Sequence, residues 1–377
     1  MTGKPYNSKS GVLLQVDNLR LNFHTYAGEV KALDGVTFTV KEDEVLGLVG
    51  ESGCGKSVTA LAIVRLLPEN AYVAEGKILL EGQNLLNISQ NEMRKIRAHK
   101  IAMVFQDPTT FLNPVLTIGE QLEEVVLLTT PDRLTRVTTA SEQSGDLGSG
   151  NEKWIKRRED ATRPQTSPEL PRSERKKAAS VDVLKQVRLP DPLRTLGQYP
   201  HELSGGMRQR CMIAMALVRN PILFIADEIT TALDVTVQAQ ILELLRELKH
   251  KLIGSTLLIT HDLGVVAELC DRVAVMYAGN IVEIAEVNEL FAKPLHPYTQ
   301  GLMRAIPIVG RPLERLETIQ GSVPDLIHPP SGCRFHPRCP FVFEKCRVEK
   351  PQLLDAGEEH KVACHLYGEK NHDANCT

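Results

Sequence analysis

The stretch Gly50-Glu51-Ser52-Gly53-Cys54-Gly55-Lys56-Ser57 fits G-x-x-x-x-G-K-[ST]. Its glycines let backbone N–H groups turn inward around an anion, and a helix starting at its end adds a positive dipole terminus. That is a cradle for polyphosphate, with Lys56 reaching the β and γ phosphates and the Ser57 hydroxyl ligating Mg²⁺. A second backbone anion site is offered by Leu203-Ser204-Gly205-Gly206, which leads into an amphipathic helical pattern from Arg208 to Arg219. Two neighbouring carboxylates, Asp227 and Glu228, close the apolar run Ile222 to Ala226. Asp227 is placed to hold Mg²⁺ through water and Glu228 to polarise an attacking water, a general-base role worth about 10²- to 10⁴-fold in rate. Gln106 directly follows the apolar run Ile101 to Phe105, from where it can reach a Mg²⁺ ion or its water. His261 directly follows a further apolar run, Thr256 to Thr260.

Such side chains need a scaffold that delivers them to one edge. The phosphate loop has it, because Val45-Leu46-Gly47-Leu48-Val49 reads as a buried strand and Val58 to Ile63 as the start of a helix. Upstream, Val12 to Phe38 alternates apolar and polar residues with a break at Tyr26-Ala27-Gly28, the pattern of antiparallel strands. Tyr26 sits on that break, where its ring either stacks on a nucleotide base or simply covers a turn. Strands are also expected over Lys77 to Leu86, a polar helix over Asn91 to Ala98, and a buried strand over Ile101 to Phe105. Residues Thr129 to Lys177 are poor in large apolar side chains and rich in Pro, Gly and mixed charge, so a mobile insertion is expected there. Trp154 is the exception, either an anchor for a short helix or partner contact or a solvated side chain. Helical spacing resumes from Ala178 to Leu189.

Bulk properties exclude several classes. The chain has 377 residues, 42% of them apolar, which allows a sizeable core, and its net charge of -3 gives no whole-chain field toward nucleic acid or anionic lipid. No apolar run approaches the roughly 18 residues of a membrane span, and Met1 to Ser10 lacks the hydrophobic centre of a secretory signal. A cytosolic protein is expected, with any membrane role exercised through a partner. In that compartment eight cysteines are not expected to form structural disulfides.

The phosphate loop, Gln106, L-S-G-G, Asp227-Glu228, Ala232-Leu233-Asp234 and His261, in this order over Val12 to about Ala285, together resemble the ATP-binding cassette (ABC) family. The resemblance implies an α/β fold: a P-loop, RecA-like core with an antiparallel β subdomain and an α-helical subdomain. It implies that Tyr26 stacks on adenine and that Gly50, Ser52, Gly53, Cys54, Gly55, Lys56, Ser57 and Val58 surround ATP and Mg²⁺. Gln106 would sense the γ-phosphate and contact the membrane partner. Ser204, Gly205 and Gly206 would bind the γ-phosphate held by an opposite subunit, Asp234 would sit at the dimer seam, and His261 would contact the γ-phosphate. One departure is visible: Ile229 stands where the family usually has proline.

Beyond Ala285, Leu295-His296-Pro297-Tyr298-Thr299-Gln300, Gln320-Gly321-Ser322-Val323-Pro324-Asp325 and Cys333-Arg334-Phe335-His336-Pro337-Arg338-Cys339-Pro340 resemble the ATPase subunits of dipeptide, oligopeptide and nickel importers. Domains are therefore expected at 1–285 (cassette, with the insertion 129–177) and 286–377 (a cysteine-rich extension). Cys333, Cys339, Cys346 and Cys364 are four thiols in one loop-rich segment, which suits a metal centre able to fold a segment with little core. Zinc ribbons bring ligands in closely spaced pairs that are absent here, whereas the resemblance implies a 4Fe-4S cluster; zinc and free thiols stay as alternatives. His336 and His365 could replace a cysteine as ligands. Cys54, Cys211 and Cys270 read as packing residues and Cys376 as part of a frayed tail. Pro294 and Pro297 bracket His296 and Tyr298, which read as shaping a bend and carry no assigned chemistry.

The resemblance implies an ATPase that powers import of peptides or a related small solute. Its partners would be a second, homologous cassette in a heterodimer, two membrane permeases, and indirectly an extracytoplasmic substrate-binding protein. It would sit peripherally on the cytoplasmic face of the membrane, without nucleic acid. Two rivals are a soluble cassette acting on nucleic acid, against which the single cassette and mixed-sign insertion argue, and a weakly hydrolysing regulatory cassette, against which Glu228 and His261 argue.

Overall fold

The computed structural model describes residues 11–107, 111–127, 172–231, 234–249, 254–305, 318–357 and 359–367. Trp154, Ala232, Leu233, Cys376 and most of the expected insertion lie outside the described residues. The chain divides into two compact units, one made of residues 1–107 and 221–377 and the other of 108–220.

The first unit carries two sheets. Strands β1 (Val12–Thr25) and β2 (Gly28–Lys41) form an antiparallel hairpin whose turn is at Tyr26-Ala27, and β1 also pairs with β4 (Ala71–Leu80). Strand β3 (Val45–Val49) belongs to the second sheet, and the two-residue β5 (Gln83–Asn84) completes the first in the order β2-β1-β4-β5. The alternation seen in the sequence puts Leu14, Val16, Leu19 and Leu21 of β1 and Val36, Phe38 and Val40 of β2 into the core.

The second sheet is built around β6 (Ile101–Val104), β7 (Leu223–Asp227), β8 (Ser255–Thr260) and β9 (Arg272–Tyr277), ordered β9-β3-β8-β7-β6 and parallel throughout. Its strands are buried on both faces and so read as continuous apolar runs. The antiparallel β10 (Asn280–Glu286) extends it next to β9. Beyond β10 the sheet continues with β11 (Leu354–Gly357) and β12 (His360–Val362), β12 lying between β10 and β11. Residues past 285 thus complete the edge of the main sheet and fall within the same compact unit as the phosphate loop.

A buried polar cluster joins these parts. Glu283 on β10 is fully buried and accepts from Leu295 N (2.7 Å) and His296 N (2.9 Å), while Nε2 of the buried His360 on β12 stands 2.8 Å from the same carboxyl group. The other ring nitrogen of His360 faces Glu289 at 3.0 Å. Among the described residues no helix is long and apolar enough to cross a membrane.

The second unit is helical where described. Its helices are Ile118–Leu127, Arg172–Gln186, Pro192–Leu196 and Gly205–Leu217. The second of these begins inside the stretch 129–177 expected to be an insertion.

Candidate active site

The C-terminal ends of parallel strands in an open α/β sheet are where ligand-binding loops collect. Here β3 runs into Gly50, and the loop returns through Gly55 into helix Lys56–Ile63. Two glycines are demanded by geometry. A Cβ on Gly50 would lie 2.1 Å from the Met276 carbonyl of β9, and Gly55 has φ 107°. Gly55 as N-cap supplies no side-chain acceptor to the first helical turn, so those N–H groups stay oriented toward an incoming anion. Val58 packs on the core behind the loop, and Cys54 is buried beneath it, its thiol pushed up by burial.

Lys56 is 4% exposed and folds back over the loop, donating to Gly50 O (2.8 Å) and Glu51 O (3.1 Å), with its Nζ 3.8 Å from a Glu228 oxygen. Ser57 Oγ donates to Asp227 Oδ1 at 3.0 Å. Burial pushes the Asp227 carboxyl upward; the Ser57 hydrogen bond opposes this, the Glu228 charge adds to it and Lys56 opposes it. A hydroxyl and a desolvated carboxyl converging at a strand end are hard oxygen donors whose burial a divalent cation would relieve, so these residues fit Mg²⁺.

Glu228 is the hub. Gln106 Nε2 donates to its Oε2 at 3.0 Å, Thr231 Oγ1 lies 3.4 Å from the same oxygen, and His261 Nδ1 stands 3.5 Å from its Oε1. Four chain segments, following β3, β6, β7 and β8, therefore bring Lys56, Gln106, Glu228 and His261 together. Glu228 has φ 47°, a left-handed conformation uncommon for a non-glycine residue, and its amide donates to Ile259 O at 2.9 Å. Ile229 is 2% exposed, so its side chain is used as core where proline is the family habit.

The other expected residues occupy a turn and two helix starts. Tyr26 is at the tip of the β1–β2 turn and wholly solvent-exposed. Asp234 caps helix Val235–Lys249, accepting from Val237 N at 2.9 Å. Ser204 caps helix Gly205–Leu217 in the second unit, accepting from Met207 N at 3.3 Å, with Gly205 and Gly206 as its first residues.

Two residues given no chemistry in the sequence reading touch the phosphate loop. Tyr298, fully buried, accepts a hydrogen bond from Glu51 N at 2.9 Å, and Arg338 grips the Glu51 carboxylate with both terminal nitrogens at 2.8 and 3.2 Å. His296 is also buried; its Nδ1 accepts from Tyr298 N at 3.1 Å and so caps the helix Pro297–Arg304. The bend expected at His296 and Tyr298 is thus a helix start that holds the loop.

Cys333, Cys339, Cys346 and Cys364 line one small cavity with His336 and His365. Burial pushes the Cys333 thiol up to about 11 and that of Cys364 to about 12; backbone hydrogen bonds oppose the rise and the neighbouring cysteines add to it. The donors are soft sulfurs around shared space, yet among the described residues no group of three or more His, Cys, Asp or Glu side chains converges on a single ion.

Comparison with known proteins gives the family. The ABC transporter family model matches residues 33–231, and the model of the oligopeptide/dipeptide transporter C-terminal region matches 282–346. A probable peptide ABC transporter ATP-binding protein of Sinorhizobium fredii is 46% identical over 360 residues, 95% of this chain and 96% of the relative. The oligopeptide transport ATP-binding protein AppD of Bacillus subtilis is 44% identical over 95% of this chain and 98% of its own length. Among solved structures, the dimeric bacterial ABC transporter cassette MJ0796 superposes with a TM-score of 0.55 at 25% identity, covering 73% of this chain and 99% of that one. The chain belongs to the ABC transporter family of ATP-binding cassettes and carries the C-terminal region of the oligopeptide/dipeptide transporters.

Proposed function

We propose that this chain hydrolyses ATP to power import of peptides through a membrane transporter. The observation that carries the reading is likeness along nearly the whole length to ATP-binding proteins named for peptide and oligopeptide transport, C-terminal region included. Loop amides of Gly53 to Ser57 and the Lys56 ammonium bind and orient the β and γ phosphates. Ser57 and Asp227 would hold Mg²⁺, which when bound would supply positive charge to the phosphoryl oxygens. Glu228 accepts a proton from the attacking water, while Gln106 and His261 fix the carboxylate and the γ-phosphate from either side. The chain acts with a second cassette whose L-S-G-G equivalent closes the site, and with two permeases. It works peripherally at the cytoplasmic face.

Glu228→Gln keeps the Gln106 and Thr231 contacts as far as shape allows and removes the base. Turnover of Mg·ATP by the purified complex with its permeases should fall by about 10²- to 10⁴-fold while Mg·ATP still binds. Wild-type turnover in that variant would overturn the assignment.

At the cysteines the reading extends to a 4Fe-4S cluster held by Cys333, Cys339, Cys346 and Cys364. Its support is that the four sulfurs line one small cavity, and soft thiolates are the usual ligands of such clusters. When bound, it would supply a covalent cross-link to a segment poor in apolar core.

A further inference from the structure

We infer that the C-terminal region positions the phosphate loop for nucleotide through a clamp on Glu51, with Arg338 and Tyr298 as positioning residues. The inference rests on the reading of Gly50–Ser57 as the phosphate site.

Glu51 is an awkward residue for an anion cradle. It is the second residue of the loop and brings a negative charge to a place meant for polyphosphate. Two groups, both from beyond residue 285, deal with it. The backbone N–H of Glu51 donates to Tyr298 Oη at 2.9 Å, which fixes the loop's entry and commits that N–H to the protein instead of the ligand. The carboxylate is held in a two-pronged ion pair by Arg338, whose side chain is only 6% exposed while that of Glu51 is 26% exposed.

Arg338 is itself rigidly placed. Its Nε donates to Gln320 O at 3.0 Å and one terminal nitrogen to Ile319 O at 3.1 Å, and its guanidinium lies 5.7 Å from the Tyr277 ring centroid. Tyr277 in turn packs with Tyr298 and Phe335, the ring centroids 4.6 to 5.5 Å apart. A guanidinium fixed by carbonyls and a ring loses little entropy in gripping one more partner. The arrangement cancels the Glu51 charge beside the loop. A lysine could cancel the charge, but could not hold both oxygens in one plane.

The test is Mg·ATP binding to the full-length chain, measured by isothermal titration. Arg338→Met releases the carboxylate, and affinity should fall about 10-fold or more, the effect of one unit charge acting over roughly 10 Å at an effective dielectric of about 20. Glu51→Gln removes the carboxylate charge and leaves that of Arg338 unopposed, so by the same arithmetic affinity should equal that of wild type or rise by up to about 10-fold. The Glu51→Gln/Arg338→Met pair should recover the affinity that Arg338→Met alone loses, because the offending charge has gone. Arg338→Lys should recover part of it. Recovery in the pair also shows that loss of Arg338 does not unfold the chain. Wild-type affinity in Arg338→Met, or a pair as weak as Arg338→Met alone, would overturn the clamp. Lys56→Ala separates this from the underlying reading: undiminished affinity there would mean that the loop is not the phosphate site, whatever Arg338 does.

Discussion

Glu283 offers a measurement of how firmly the C-terminal residues are built into the cassette. Glu283→Met keeps side-chain volume but removes the acceptor of Leu295 N, His296 N and the His360 ring, leaving three donors buried. Each orphaned donor costs about 1–3 kcal/mol, and relief from burying a carboxyl group returns part of it, so a net loss of about 4 kcal/mol is expected. His360→Phe instead leaves the carboxyl group with its two amide partners but without the ring, and should cost about 3 kcal/mol. Glu283 and His360 share one contact, so the double variant should fall short of the sum by about 2 kcal/mol. Native-state hydrogen exchange of the Ala363 amide, which donates to Val282 O at 2.8 Å beside the β10–β12 pairing, reads this local free energy directly. A loss under about 1 kcal/mol for Glu283→Met, or strict additivity in the cycle, would refute the argument that this cluster ties the two parts together.

Two further outcomes follow from the site. Burial lowers His296 from 6.5 to about 3, so below pH 6.5 the unfolded chain takes up a proton that the folded chain refuses. Stability should fall with pH at about 1.4 kcal/mol per unit from this group until about pH 3, and His296→Asn, which keeps a cap acceptor, should show a shallower acid slope in melting curves. Identical slopes for the two proteins would exclude His296 as the source. For the cysteines, anaerobically purified protein should contain iron and absorb in the visible, and Cys364→Ser should lose most of both; stoichiometric zinc without iron would decide for the alternative.

The side chains gathered at the Gly50–Ser57 loop were legible because their signals are local. Lys56 and Ser57 lie in one loop, Asp227 and Glu228 are adjacent, and each follows an apolar run that can only be a buried strand. The same locality marked Gln106 and His261. The clamp on Glu51 left no such mark, since Arg338 is 287 residues away and nothing in their spacing pairs them. Tyr298 looked like a bend residue because its hydroxyl partner is a backbone N–H, which has no side-chain signature. The edge of the main sheet was missed for a related reason. Strand β12 has three residues, His360–Val362, too few to show alternation. The cysteines were visible as a set, but that they line one cavity depends on how the fold brings Cys364 to the other three.

Because β10 finds its outer neighbour in β12, the order of synthesis matters. Residues 287–359 intervene, so at about 5–20 residues per second the ribosome leaves β10 without that neighbour for roughly 4–15 s. During that interval Ile281, Val282 and Ile284 sit on an open strand edge able to pair with another nascent chain. In the finished protein the outermost strand is β11, four exposed residues long and therefore a poor template. A chain stopped before His360 would keep the whole phosphate loop and its carboxylates, yet be prone to aggregate from this edge.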